Sequence, residues 1–315
     1  MSSKMELSLL LMKKILSMAI MVVVGYAAVR KNVLKEADTQ LMSALSLYIV
    51  CPCMILSAFR MEFTADRALK LVYCIVAATV VHFIFIAATW VLARGGHIDP
   101  VQQDSVIYAN CGNLIIPIIG SLLGAEALFY ACAFIAVQTV FLWTHCMYTL
   151  GGKAAVDVKK ILTNPNIIAI VLGILLFITG LTFPSPVNDA VDALGSMLGP
   201  LGMLIAGIVM ANINLREVFA DRASYLICVL RLLVYPLLLV LILKLSGLTR
   251  ILPDSAQLFM VTFLGAIGPS ASTVTQMAKL NDCDYQTASV INVMSIILCM
   301  ITMPVMIFIY QLVLY

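Results

Sequence analysis

Two apolar stretches of the chain are each interrupted by proline among small and polar residues, at residues 108–117 (YANCGNLIIP) and 265–273 (GAIGPSAST). A helix that is broken at Pro117 or Pro269 exposes the N–H groups of its second half, and these carry partial positive charge. Neutral hydrogen-bonding groups surround the breaks: Asn110, Asn113, Ser270, Ser272, Thr273, Thr275 and Gln276. Helix N-termini and amides suit a small carboxylate, so the pattern predicts a site for a small organic anion.

A simpler interpretation is that these side chains only satisfy carbonyl groups that the breaks set free. Both interpretations stay open for Ser272 and Thr273. Asn110 and Asn113 favour a binding site, because an uncharged amide in lipid is costly unless it has a partner.

The composition indicates a membrane protein. Of the 315 residues 63% are hydrophobic and 11% are charged, so the chain cannot present the polar surface that a soluble domain of this length needs. The net charge of +3 comes from short polar gaps and bears on membrane orientation, not on nucleic acid. Nine scattered cysteines give neither a disulfide framework nor a metal site, and no cofactor motif is present.

Apolar segments of bilayer length predict an all-α fold with ten membrane-spanning helices. We place them at residues 8–29, 39–59, 69–93, 105–123, 126–150, 165–183, 190–212, 223–244, 255–278 and 286–313. The first segment is not a signal peptide, because it runs directly into Arg30 and Lys31 without a convincing cleavage site.

Two proline landmarks recur at an offset near half of the chain length. Pro52 and Pro200 are 200 − 52 = 148 residues apart, and Pro117 and Pro269 are 269 − 117 = 152 residues apart. We therefore predict two similar five-helix repeats, the second inverted because five is an odd number of spans. Chance placement of the 11 prolines stays open as the alternative.

The predicted boundaries are residues 1–150 for the first repeat, 151–164 for a connecting loop and 165–315 for the second repeat. Loops opposite the termini hold Arg30, Lys31, Lys35, Arg94, Lys153, Lys159, Lys160, Arg216, Arg222 and Lys279. The terminal side holds Lys4, Arg60, Arg67, Lys70, Lys244 and Arg250, and would gain Lys13 and Lys14 by snorkelling. The positive-inside rule therefore puts the connecting loop in the cytoplasm and both termini outside the cell membrane.

Six groups of residues, taken in order, resemble the auxin efflux carrier family and cover essentially the whole chain. They are Gly25-Tyr26 with Arg30-Lys31; residues 47–52 (LYIVCP); Asn110, Gly112 and Pro117; Asn164-Pro165-Asn166 with Gly173; residues 230–236 (LRLLVYP); and Pro269-Ser270-Ala271 with Ala278 and Ala288-Ser289. The resemblance implies two inverted five-helix repeats whose fourth and ninth helices cross at their prolines, an architecture similar to bile-acid transporters and sodium/proton antiporters. Bacterial members of the family are permeases for small dicarboxylates, and plant members export auxin.

The resemblance also implies roles for single residues. The binding-site asparagine of plant members corresponds to Asn110, and a fifth-helix glutamine corresponds to Gln138. The Asp-x3-Lys pair of the third helix is similar to Asp66 and Lys70, which could couple transport to an ion or form a plain surface pair. Ile115 stands where many relatives have Gly, so the identity of the substrate is not transferred.

Other polar residues leave alternatives open. Arg231 lies deep in the eighth span, where it could be functional, snorkel or bind a neighbouring backbone. His82 and His145 suit packing better than proton relay. All acidic residues are expected at loops or span ends, which argues against a buried carboxylate that carries a coupling ion.

These features predict a secondary transporter for a small organic acid, with a channel or a sensor for a small polar solute as the alternative. A channel needs a continuous polar stripe, whereas here the polar residues gather at the two breaks. No motif of an enzyme or an ATP-driven pump is present in the sequence. Import or export, a proton or sodium as coupling ion, and a homodimeric state stay open.

The topology has a direct test. In a variant without native cysteines, a membrane-impermeant thiol reagent added to intact cells should miss a cysteine at Ala155 and label one placed after Tyr315. The positive-inside rule puts Ala155 in the cytoplasm. Labelling at Ala155 with none at the C-terminus would reverse the topology.

Overall fold

The computed structural model describes residues 3–35, 37–96, 98–213, 215–250 and 255–314, with the side chains of residues 3–12, 15, 113, 121, 122, 215, 217 and 250 left out. The helices are α1 (Ser3–Arg30), α2 (Asp38–Ala58), α3 (Ala65–Arg94), α4 (Pro100–Ile107), α5 (Ile116–Phe141), α6 (Pro165–Thr179), α7 (Ser185–Asn212), α8 (Arg222–Ser246), α9 (Ser255–Ala266), α10 (Ser272–Leu280) and α11 (Tyr285–Leu314). Shorter helical segments are Met147–Gly151, Lys153–Ala155, Val158–Leu162, Leu215–Ala220 and Leu248–Arg250. No β-strand forms within these ranges, so the predicted all-α class is correct for the described chain.

The described residues include seven helical segments that are long and apolar enough to cross a bilayer. Large apolar side chains are exposed along them, for example Val91, Leu175 and Ile301, as expected for helices that face lipid. The two broken segments do not qualify by length, because each half is shorter than a bilayer requires. The protein is thus a multi-pass membrane protein, and the count of ten spans stays a prediction.

Short polar residues begin several helices. Thr64 accepts a hydrogen bond from the N–H of Arg67 at the start of α3. Asp99 forms a complete capping box with Gln102 at the start of α4. The side chains of Asn164 and Asp221 accept hydrogen bonds from the first backbone N–H groups of α6 and α8. Such caps satisfy N–H groups that have no partner in the helix.

Three of the prolines follow a π-helical turn by two residues. The turns are Ser46–Val50, Cys111–Ile115 and Leu230–Val234, and the prolines are Pro52, Pro117 and Pro236. Proline has no N–H, and its ring clashes with the carbonyl group four residues earlier. Widening the preceding turn by one residue relieves both problems without breaking the helix.

The helix that contains Pro117 is interrupted by a bend at Gly124. This residue lies inside α5 with φ 85° and ψ −176°, a conformation that favours glycine. Residues 116–123 therefore complete the first broken segment, and the part of α5 after Gly124 begins the next span. The predicted connection at 151–164 contains the two short helices Lys153–Ala155 and Val158–Leu162 and is only partly a loop.

Glycine lets α1 and α7 pack with their backbones in contact. A Cβ atom added at Gly25 would lie 2.5 Å from the carbonyl oxygen of Leu204. A Cβ atom added at Gly207 would meet backbone atoms of Val22 and Tyr26. Close approach through small residues is a main source of helix association in membranes.

Gly25→Ala and Gly207→Ala should each lower the free energy of unfolding by about 1–3 kcal/mol, because the added methyl group meets backbone that cannot move aside. The thermal unfolding midpoint of the purified protein measures the effect. Gly120→Ala is the matched control, since its Cβ would make only ordinary contacts at 3.7 Å with Leu128. Equal midpoints for all three variants would contradict close backbone packing.

Candidate functional site

The two breaks lie side by side in the fold and pair through their backbones. The N–H of Asn110 donates to the carbonyl of Pro269 at 2.7 Å, and the N–H of Ala271 donates to the carbonyl of Tyr108 at 3.0 Å. These bonds form an isolated antiparallel bridge between Ala109 and Ser270. We call residues 108–110 and 268–271 the crossing. Each break thus supplies partners for backbone groups that lipid would leave unsatisfied.

Gln138 of α5 holds the first break. Its Oε1 atom accepts from the N–H of Ala109 at 3.1 Å, and its Nε2 atom donates to the carbonyl of Ala109 at 2.8 Å. The side chain is buried. The Nε2 atom also lies 3.2 Å from Sγ of Cys111. These contacts position the first break, and a role of Gln138 in binding the substrate stays a prediction.

Asn292 and Ser295 of α11 hold the second break in a corresponding way. The Nδ2 atom of Asn292 donates to the carbonyl of Ser270 at 2.6 Å. The N–H of Ser270 donates to Oγ of Ser295 at 3.0 Å. Neither residue was among the predicted site residues, although a polar amide within a membrane helix is a signal that could have identified Asn292.

Arg231 binds the carbonyl groups at which α4 and α9 end. Its guanidinium group is fully buried in the π-turn of α8. It donates to the carbonyls of Val106 at 2.9 Å, Ile107 at 3.1 Å, Ala266 at 2.6 Å and Gly268 at 2.9 Å. A cation suits the negative ends of two helices. Of the alternatives for Arg231, snorkelling is wrong and backbone binding is correct.

The first break does not lie at Pro117, which corrects the sequence analysis. The chain leaves the helix at Tyr108, with φ −97° and ψ 129°, and becomes helical again at Cys111. Pro117 is the second residue of α5 and packs near Gly199, where an added Cβ atom would lie 2.9 Å from it. The π-turn absorbs the missing N–H of this proline, so the helix continues through it. Pro269, in contrast, lies at the break itself.

Both second halves begin at residues whose side chains do not cap them. Asn110 precedes the π-turn that leads into α5, and Ala271 precedes α10; neither makes a side-chain capping bond in the described structure. Alanine is a poor capping residue, whereas Thr64, Asp99, Asn164 and Asp221 cap other helices of this chain. The two N-termini at the crossing thus differ from these helices in having no side-chain cap.

Other predicted site residues lie around these N-termini. Ser270 is buried, and its hydroxyl has no hydrogen-bond partner within the part of the chain that the structure describes. Asn110 and Ser272 are partly exposed. The side chain of Asn113 lies outside the described residues. Buried hydroxyl groups are nearly always paired, so the unpaired Ser270 marks a place where a ligand atom or water would be bound.

Ile115 fills the space beside the second break. The residue is fully buried, and its Cγ1 atom lies 2.9 Å from where a Cβ atom of Gly268 would be. Because Gly268 has no side chain, the bulk of Ile115 is accommodated without separating the two breaks.

The predicted coupling pair lies at the first turn of α3. Lys70 Nζ is 2.8 Å from a carboxylate oxygen of Asp66, whose side chain is 68% exposed. This is the geometry of a surface pair four residues apart, worth about 0.3–0.5 kcal/mol. A coupling role for the pair stays a prediction.

One expectation about acidic residues is wrong. Asp104 lies in the second turn of a helix that enters the crossing, and it is fully buried. The hydropathy pattern starts the predicted span at residue 105, directly after Asp104, whereas the capping box at Asp99 starts α4 earlier, at Pro100.

His82 has the contacts of a packing residue, as predicted. Its Nδ1 atom lies 2.7 Å from the carbonyl of Ala78, and its ring stacks on Phe141.

Broken helices that meet inside a set of lipid-facing helices, with polar groups at the meeting point, define a membrane transporter. A sequence profile of the family described as "Membrane transport protein" matches residues 10–155 and 153–307. The chain belongs to this family, which confirms the resemblance to auxin efflux carriers. An uncharacterized transporter from Methanothermobacter thermautotrophicus (strain Delta H) is 28% identical over 302 residues, which cover 92% of this chain and 95% of that protein.

Arg231→Lys should destabilise the protein. An ammonium group presents its donors from one point and cannot reach carbonyls on two helix ends, and each carbonyl left unpaired costs about 1–3 kcal/mol. The thermal unfolding midpoint should fall clearly. Arg222→Lys, at an exposed position that starts the same helix, is the control and should unfold like the wild type. An unchanged midpoint for Arg231→Lys would contradict its role at the crossing.

Proposed function

We propose that this protein is a secondary transporter that moves a small organic anion, a carboxylate, across the cell membrane. The observation that carries the proposal is the pair of uncapped helix N-termini at the crossing, next to the unpaired hydroxyl of Ser270. N–H groups at a helix N-terminus attract anions and bind carboxylate oxygens by charge-assisted hydrogen bonds. Asn110 and Ser272 add neutral donors beside them.

The fixed positive charge nearby is already engaged. Arg231 directs its donors at four backbone carbonyls, so it sets the electrostatics of the crossing without holding the substrate. The anion is therefore bound by dipoles and amides. Binding of this kind is weaker than a salt bridge, which suits a carrier that must also release its substrate.

Alternating access at the crossing is the mechanism that this arrangement favours. The corresponding positions of Gln138 and Asn292, each on the helix that follows a break, support two inverted five-helix repeats. Rocking of one repeat against the other would expose a site at their interface to each side in turn. In this proposal the loop at residues 151–164 is cytoplasmic and both termini lie outside the cell membrane.

Binding of the acid should raise the unfolding temperature of the purified protein, because a ligand that binds only the folded state stabilises it by mass action. The panel comprises acetate, malonate, malate and indole-3-acetate, each with its amide as the neutral analogue. We expect at least one acid to stabilise and its amide to have no effect. Equal stabilisation by acid and amide would contradict carboxylate recognition.

Asn110→Ala and Ser270→Ala locate the site. Each should weaken binding of the best acid by about 1.5–3 kcal/mol, the scale of a hydrogen bond to a charged group. Asn110→Asp should bind it less well still, because a carboxylate there would repel the substrate.

Ser270→Ala separates binding from folding, since this hydroxyl makes no hydrogen bond among the described residues. Its stability without ligand should therefore equal that of the wild type. Ser105→Ala is the matched control: Ser105 is likewise buried with a hydroxyl that lacks a partner in the described ranges, but it lies on α4 before the break. Full binding by Ser270→Ala, or an equal loss in Ser105→Ala, would rule out this site.

A further inference from the structure

A buried carboxyl group lies one helical turn before the crossing and takes no part in holding it. Neither carboxylate oxygen of Asp104 has a nitrogen or oxygen donor within hydrogen-bond distance among the residues that the structure describes, and the donor beside it is the thiol of Cys146. Its Oδ1 atom lies 3.7 Å from Nδ1 of His145, which is within ion-pair range but too long for a hydrogen bond. A thiol is only a weak donor, so the buried carboxylate is costly, and a proton is the simplest ligand that neutralises it.

His145 lies between this carboxyl group and an open cavity. A cavity of about 330 Å³ is bounded by α3, α4 and His145, and its wall includes Trp90 and Gln103. The side chain of His145 is 28% exposed, whereas that of Asp104 is 0% exposed. The imidazole ring of His145 is thus a titratable group that reaches both this cavity and the carboxyl group of Asp104.

Tyr108 connects the same pair to the crossing. Its hydroxyl lies 2.9 Å from Nδ1 of His145 and donates to the carbonyl of Phe141 at 3.2 Å. Its N–H bonds to the carbonyl of Asp104 at 3.0 Å, and its own carbonyl accepts the bridge bond from Ala271. A change of charge on Asp104 or His145 thus acts on the residue at which α4 ends.

The other titratable groups around α4 either lie beside this carboxyl group or have their own contacts. Cys146 and Cys283 lie near enough to act on Asp104 electrostatically, and Asp99 is the exposed cap of the same helix. Groups on the helices that pack against α4 make contacts elsewhere: His82 with Ala78, Arg231 with four carbonyls, Cys228 with the carbonyl of Ile291, and Lys279 with the ring of Tyr285. No lysine or arginine of the described chain pairs with Asp104.

The surroundings suit a proton better than a metal ion. Sodium, calcium and magnesium ions need several oxygen ligands. The groups beside Asp104 are instead the imidazole of His145 and the thiol of Cys146. Within the described residues no three His, Cys, Asp or Glu side chains come together as a metal site would require.

We propose that Asp104 and His145 form the proton-binding site that couples this transporter to the proton gradient. The coupling role rests on the proposed transport function, but the binding of a proton does not. In the step that we propose, the His145 tautomer with its proton on Nδ1 takes a second proton on Nε2 from a hydronium ion at the cavity, which leaves water there. The proton on Nδ1 then passes to Oδ1 of Asp104, which leaves a neutral imidazole and a neutral carboxylic acid.

Proton binding is tested first, without any substrate. Infrared difference spectra of the purified protein between weakly acidic and alkaline buffer, both well above the pH at which exposed carboxylates take up a proton, should contain the C=O stretch of a protonated carboxylic acid. The band should vanish in Asp104→Asn and shift in Asp104→Glu, which keeps the proposal testable if one variant fails to fold. Asp99→Asn, an exposed cap on the same helix, should retain the band. A band that is unchanged in a folded Asp104 variant would overturn the proposal.

Coupling is tested in proteoliposomes that contain a pH-sensitive dye, with the acid of the panel that stabilises the protein most. Movement of this acid should move protons in the wild type and in Asp99→Asn. Asp104→Asn should bind the acid normally but lose accumulation driven by a pH gradient. His145→Gln, which can still bond to Tyr108, should slow the proton movement.

The outcomes separate the two proposals. Substrate movement without protons, or movement that requires sodium, would overturn proton coupling and leave the transport function intact. If no acid binds or moves, the transport function fails, and the infrared band alone decides whether Asp104 binds a proton.

Discussion

Backbone groups that a broken helix releases inside a membrane must be satisfied by the protein itself, because lipid offers no partner. The rest of this structure follows from how that requirement is met at two breaks together. The breaks pair with each other through Ala109 and Ser270, and three side chains from neighbouring helices, Gln138, Asn292 and Ser295, bind the backbone of those two residues. Arg231 satisfies the carbonyls at which the first halves end. The crossing is therefore a fixed polar structure within an apolar fold.

The partners are distributed unevenly, and this asymmetry determines the chemistry of the site. The charged guanidinium group of Arg231 binds the carbonyl groups at the C-terminal ends of the first halves. The N-termini of the second halves have no side-chain cap in the described structure. We propose that a ligand binds the N–H groups of these N-termini and the hydroxyl of Ser270, an arrangement that would favour an anion. Asp104 lies one turn outside it, where its charge would act on the crossing through Tyr108 without occupying the anion site.

Short sequence patterns were enough to predict where the two helices are broken and which polar residues lie beside the breaks. Proline with glycine and polar residues in an apolar stretch marked both broken segments, and Asn110, Ser270 and Ser272 do lie at their N-termini. Pro117 was misplaced because a π-turn lets a helix pass through proline, which no local pattern distinguished from a break. Gln138 and Asn292 act on backbone far away in sequence, and the burial of Asp104 depends on packing around α4. Such contacts are tertiary, so composition and spacing could not reveal them.

The central claim is that the uncapped N-termini at the crossing bind a carboxylate. The most direct measurement is an experimental structure of the protein with its best-binding acid. We predict that the carboxylate oxygens lie within hydrogen-bond distance of the N–H groups at residues 111–113 or 272–273 and of the Ser270 hydroxyl, while Arg231 keeps its four carbonyls. A carboxylate bound directly by Arg231, or one that lies away from the crossing altogether, would contradict the account.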